Sequence, residues 1–219
     1  MQGELQSAGA IESIASVSEA ASDCRRGREV KKRGQQIVLI ASTLIGSWLG
    51  MQAVHEFGHV LGAWLTGGRV SRVVLSPISI SRTDLSSNPK PLFVVWSGPV
   101  VGALLPLAVW AAAIAVQTPG AFVLRFFAGF CLIANGAYIA VGSFDGIGDC
   151  GVMRAYGSPV CLHWLFGVTT APSGLWLWHG QAIHFGVGTA AKEIDAGVSY
   201  ATLAVAAVLI AVGFLLGPP

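Results

Sequence analysis

The hydrophobic positions of this chain come in long runs rather than at a regular spacing. From Ile37 to Leu65 the residues are almost all apolar or small, and Glu56 is the only formal charge. Further runs cover residues 91–116, 122–141 and 198–216. Runs of eighteen or more apolar residues predict transmembrane helices. Arg125 is the only charge in the second and third runs, near an end where its long side chain can reach the interface. As a helix, the first run would be about 43 Å long against a hydrocarbon core of about 30 Å. Its far end must therefore tilt, bend or emerge. Residues 160–178 are apolar but broken by His163, Pro172 and Gly174. They predict a fifth span, a re-entrant segment or an interfacial helix. In the connection from Thr66 to Lys90, Gly67-Gly68 stops the first helix and Ile78-Ser79-Ile80-Ser81-Arg82 alternates like a strand. The expected fold is an all-α polytopic membrane protein of about four transmembrane helices, six at most. A small strand-like hairpin or edge strand lies between the first two.

Composition agrees with this pattern. The chain has 219 residues, 53% of them hydrophobic and 11% charged, with a mean hydropathy of +0.66. A soluble domain carries roughly 25% charged residues. The excess apolar surface excludes both a single soluble core and disorder. A net charge of +2 gives no reason to expect a nucleic-acid partner. Cys24, Cys131, Cys150 and Cys161 have no regular spacing and suggest neither a disulfide framework nor a cysteine zinc site. Eleven of the charges fall in residues 1–36, which read as a polar N-terminal tail with a basic end. The membrane-embedded domain is then 37–219. The basic end, Arg25 to Arg33, is placed to meet the headgroups of the lipid bilayer. The Lys and Arg residues expected at the two ends of the spans are nearly balanced, so the positive-inside rule assigns no orientation.

The scarcity of charge isolates Glu56. An ionisable residue inside a span is a functional hypothesis by default. It stands in His55-Glu56-Phe57-Gly58-His59, a His-Glu-x-x-His sequence. On a helix the two histidines are one turn apart and can bind one Zn2+. Glu56 lies about 100° around the helix, able to reach a zinc-bound water as general base without being a ligand. A catalytic zinc needs a third protein ligand. The third span returns the chain to the side of the His pair, and Asp145 and Asp149 lie just beyond its end. Either can reach the metal. Ser97-Gly98-Pro99 opens the second span on that same side, and the glycines in this region allow irregular backbone beside a cavity. Cys150, His163, His179 and His184 are rival ligands, with His179 and His184 expected at the interface.

These residues resemble the site-2 protease family of intramembrane zinc metalloproteases. The resemblance covers about residues 37–155. It rests on the His55–His59 motif, the Gly-Gly turn and strand-like loop, Ser97-Gly98-Pro99, and Asn135-Gly136 followed by an Asp-Gly segment. It implies a three-span catalytic core with zinc below the membrane surface, cutting the transmembrane helices of membrane-protein substrates. Phe144-Asp145-Gly146 is similar to the family's Leu-Asp-Gly, whereas Gly148-Asp149-Cys150 is similar to the Gly-Asp-Ala of divergent bacterial members. The second likeness makes Asp149 the preferred third ligand and Asp145 the alternative. It also implies a bacterial cytoplasmic membrane. The family's proline after the Asn is missing here, and the Asn-to-Asp spacing is longer. A site facing the cytosol is implied too. The short loops hold no PDZ-like domain, so substrate selection falls to other features such as the 66–90 loop. The competing readings are a membrane protein that binds or transports metal without proteolysis, and a zinc hydrolase for another membrane-embedded substrate. Oligomeric state is not legible.

Overall fold

The computed structural model describes residues 2–217, with side chains from Asp23 onward. Residues 1–22 of the predicted tail lie outside the described side chains. Six α-helices and one hairpin follow in order: α1 (Gln2–Leu65), β1 (Arg69–Val74), β2 (Arg82–Ser87), α2 (Pro91–Ala115), α3 (Ala121–Asp145), α4 (Asp149–Ala155), α5 (Val160–Trp178) and α6 (Ala196–Leu215). A short 3-10 turn, Gln181–Phe185, precedes α6. Four helices have the length and composition to cross a membrane: α1 from Asp23, α2, α3 and α6. They match the four predicted spans.

Local chemistry explains the boundaries. α1 stops where Gly67 adopts a left-handed φ of 76° and the Thr66 hydroxyl donates to the carbonyl of Gly62. α2 starts on Pro91, whose missing N–H would have no helical partner there. Its internal Pro99 and Pro106 are both buried against the rest of the bundle. α3 ends on Gly146, again left-handed.

α2 runs back along α1, so that Gly58 and Gly62 face Ser97 and Val94. α3 runs antiparallel to α2. α6 runs parallel to α1, where the Ser42 hydroxyl donates to the Thr202 hydroxyl and Gly46 faces Ala206. α5 is one continuous helix despite its internal Pro172. It lies antiparallel along nearly all of α3, with Trp164 bonded to Ser143, Gly167 beside Ala140, Gly174 beside Ile133 and Trp178 bonded to Phe126. It returns the chain from the hairpin end of the bundle to the end where α6 begins. α5 therefore runs the length of the bundle beside α3, although it is not one of the four helices whose length and composition suit a membrane crossing. At that far end Gln36 donates to the carbonyls of Phe185 and Gly186, and Lys32 pairs with Glu193 at 3.3 Å. Lys192 thus belongs with the basic tail.

The bundle's outer face carries exposed Leu104, Leu165, Val168, Val205 and Phe214. Its interior mixes apolar side chains such as Leu39, Ile139 and Met153 with small and polar ones, including Ser42, Ser47, Asn135, His163 and Ser199. An apolar outer face over such an interior fits a lipid environment, where close approach and hydrogen bonds hold helices together. One apolar cluster, Val95, Ile139, Cys150 and Met153, packs α2, α3 and α4 directly under the site described below.

The strand-like loop is present, but its alternating segment is not a strand. β1 and β2 pair antiparallel from Arg69↔Ser87 to Val74↔Arg82. Ile78 to Ser81 form the connection between them, with Ile78 and Ile80 exposed at 90% and 76%. Ser81 instead spends its backbone N–H and hydroxyl on Oε1 of Gln52, which pins the loop to α1.

Candidate metal centre

α1 delivers His55, Glu56 and His59 near its hairpin end, as the spacing predicts. α4 delivers Asp149 from 90 residues beyond His59. Nε2 of His55 lies 2.9 Å from Oδ2 of Asp149 and 3.1 Å from Nε2 of His59, and Nε2 of His59 lies 3.4 Å from the same carboxylate oxygen. A tetrahedron with metal–ligand bonds of 2.0–2.1 Å has edges of about 3.4 Å. The three atoms therefore have nearly the spacing that one zinc ion requires.

The far side of each imidazole fixes which nitrogen is free. Nδ1 of His59 lies 2.9 Å from the carbonyl oxygen of Val94, which can only accept, so Nδ1 carries the proton. Nδ1 of His55 lies 2.7 Å from Oδ1 of Asn135. Asn135 in turn donates from Nδ2 to the Cys131 carbonyl at 2.8 Å, which turns its oxygen towards the histidine. Both Nε2 lone pairs are thus left pointing at one spot. Partners of this kind fix the tautomer and ring orientation of metal-binding histidines.

Backbone geometry makes room for this arrangement. At Gly98 a Cβ would overlap the His59 ring. At Gly148, where φ is 60°, it would overlap the Tyr138 hydroxyl, which accepts the N–H of Asp149 at 3.1 Å. Glycine at these two positions lets α2 approach His59 and lets the chain turn into α4.

Glu56 stands outside the three-atom cluster. Its Oε2 accepts a hydrogen bond from the Thr83 hydroxyl at 2.7 Å. Cluster and glutamate open onto a cavity of about 880 Å³ walled by Trp48, Met51, Val94, Tyr138 and Val152, with β2 along one side.

The other sequence candidates lie elsewhere. Asp145 ends α3, exposed and outside the cluster. His163 is buried against Trp96, with Nε2 3.2 Å from the Ser158 hydroxyl. Cys150 packs into the apolar cluster. His179 and His184 lie at the opposite end, with His184 stacked on Phe122. Sequence reasoning placed Asn135 near the site without a role and missed Thr83 and Tyr138. An amide in an otherwise apolar span was the available signal for Asn135. Nothing local marks a threonine in a loop.

A model of the Peptidase M50B-like family matches residues 37–217. The chain belongs to this family. The Peptidase M50B-like match places it among the site-2 proteases, as the motifs implied, and makes it an apolar multi-helix metallopeptidase by descent. The M50B-like region begins at Ile37, where the first apolar run begins, and extends through α6. No curated protein and no solved structure matches the chain.

Proposed function

We propose that this chain is an intramembrane zinc metalloendopeptidase acting on transmembrane segments of other membrane proteins. The observation that carries the reading is the convergence of two imidazole nitrogens and one carboxylate oxygen, with a second carboxylate beside them that is not part of the cluster.

His55, His59 and Asp149 would hold the metal. Bound there, zinc supplies Lewis acidity, which acidifies water and polarises a carbonyl. The remaining tasks fall to side chains. Glu56 accepts the proton of the attacking water and passes it to the leaving amine nitrogen, so its carboxylate is regenerated. Asn135 and the Val94 carbonyl keep both imidazoles in the ligating tautomer. The apolar walls of the cavity exclude bulk water and receive an unwound stretch of substrate. A helical peptide bond resists attack because its carbonyl is already hydrogen-bonded, so helix-breaking residues near the scissile bond favour cleavage. The substrate is a membrane-protein helix reaching the site from the surrounding bilayer, which in a bacterium is the cytoplasmic membrane.

Glu56 also separates this reading from metal storage or transport, which has no use for a carboxylate beside the cluster but outside it. The test is zinc content together with cleavage of a quenched-fluorescent single-span peptide containing a Gly-Pro pair, in detergent micelles. Glu56→Gln is expected to keep zinc and lose at least about 100-fold in rate, the lower range for general-base removal. Asp149→Ala is expected to lose zinc and cleavage together, whereas Asp145→Ala keeps both. Wild-type cleavage in Glu56→Gln overturns the protease reading. Zinc retained in Asp149→Ala overturns the ligand assignment.

A further inference from the structure

We infer that Thr83, on the hairpin strand β2, is the residue that positions the general base. This rests on the reading of Glu56 as that base. A glutamate has three rotatable bonds and needs an anchor if one oxygen is to stay near the reacting water. Among the described residues no Lys or Arg side chain pairs with Glu56. The contact its carboxylate makes is the hydroxyl of Thr83, 2.7 Å from Oε2. Oε1 has no hydrogen-bond partner among the described residues and is not sealed from the cavity. One oxygen is thus tied and the other is free for water. The same hydroxyl lies 3.4 Å from the Glu56 carbonyl, a much poorer contact. The donor is therefore directed at the carboxylate rather than at the helix backbone.

Thr83 is held there by its neighbours. Gln52 precedes Glu56 by one helical turn on the same face, and its Oε1 accepts both the backbone N–H and the hydroxyl of Ser81, at 2.9 and 3.0 Å. The start of β2 is thus tied to α1 at two successive turns, through Ser81 to Gln52 and through Thr83 to Glu56. Thr83 pairs with Val73 across the hairpin, which fixes the side of the strand its hydroxyl projects from. β2 also walls the cavity, through Arg82, Asp84 and Leu85 among others. The strand that lies beside an incoming peptide thereby sets the position of the group that deprotonates water. A displaced strand disarms the base without disturbing the metal ligands.

Thr83→Val keeps the shape and removes the donor, and Thr83→Ser restores the donor without the methyl. With the same quenched peptide, Thr83→Val is expected to lower kcat at least about ten-fold, by analogy with other small misplacements of a reacting group, with KM and zinc content unchanged. Thr83→Ser is expected within about three-fold of wild type. A second readout needs no turnover. With ¹³C-labelled glutamate, the infrared spectrum of wild type minus Glu56→Gln isolates the Glu56 carboxylate stretch, which should shift in Thr83→Val and return in Thr83→Ser. An unchanged kcat in Thr83→Val, or a Thr83→Ser variant as slow as Thr83→Val, overturns the positioning role. An unshifted infrared band overturns the hydrogen bond itself. If wild type cleaves nothing, the protease reading fails, and the band alone then decides whether Thr83 holds Glu56.

Discussion

Asn135 shows what one residue does in this molecule. It is 1% exposed, and it couples the Cys131 carbonyl within α3 to Nδ1 of His55 on α1. Replacing it with alanine removes the acceptor and leaves a buried N–H without a partner. Asn135→Ala is expected to lower zinc affinity by about 10- to 100-fold, the usual cost of losing a partner behind a metal ligand. Competition with a zinc chelator measures this, and unchanged affinity would remove Asn135 from the site. Residues acting at short sequence separation were readable in advance. His55, Glu56 and His59 declare themselves because helix periodicity alone brings them together. Asp149 could be narrowed by topology only to a pair with Asp145. Choosing between them depends on where Gly146 and Gly148 turn the chain, which spacing does not encode. Asn135 and Thr83 act across 80 and 27 residues, through contacts that packing alone creates.

Whole elements were easier to foresee than their details. Hydrophobic run length located all four spans because a membrane requires about twenty apolar residues for each crossing. α5 resisted the same logic. His163, Pro172 and Gly174 lower its apolarity, yet two of them face protein: His163 and Gly174 are buried, and Gly174 abuts α3, while Pro172 is exposed. The alternation at Ile78–Ser81 misled for the opposite reason. Period two was present, but Ser76 and Ser81 spend their polar groups on loop and helix contacts rather than on a ladder. Close helix approach also carries a prediction. Gly98→Ala puts a methyl group where the His59 ring lies, so α2 must back away or the ring must turn. Zinc affinity is expected to fall at least ten-fold, although alanine is the better helix former by about 1 kcal/mol. Chelator competition beside a circular-dichroism check of helicity tests this. Lost zinc with retained helix is the expected pair, and full zinc binding would show that the approach is not needed.

At the scale of the molecule, the path of the chain is a claim about sides. α1, α2 and α3 separate Cys24 from Cys161, and α5 separates Cys161 from Thr189. In sealed vesicles of uniform orientation, an impermeant maleimide should label Cys24 and Cys161 from opposite faces. Both cysteines are exposed, whereas Cys131 and Cys150 are buried and should not react. A cysteine introduced at Thr189 should label from the Cys24 face. Labelling from the Cys161 face would show that α5 does not cross. The same experiment reports which end of the bundle meets the cytoplasm. The metal centre is assembled from α1, α2, α3 and α4, and its carboxylate is made last. At synthesis rates of about 5–20 residues per second, Asp149 emerges many seconds after His59. Under the proposed function, a chain still being threaded into the bilayer holds two histidines and a glutamate but lacks its third ligand. It would then be unable to cut neighbouring helices during its own insertion, and a message truncated before codon 149 would yield an inert product rather than a stray protease.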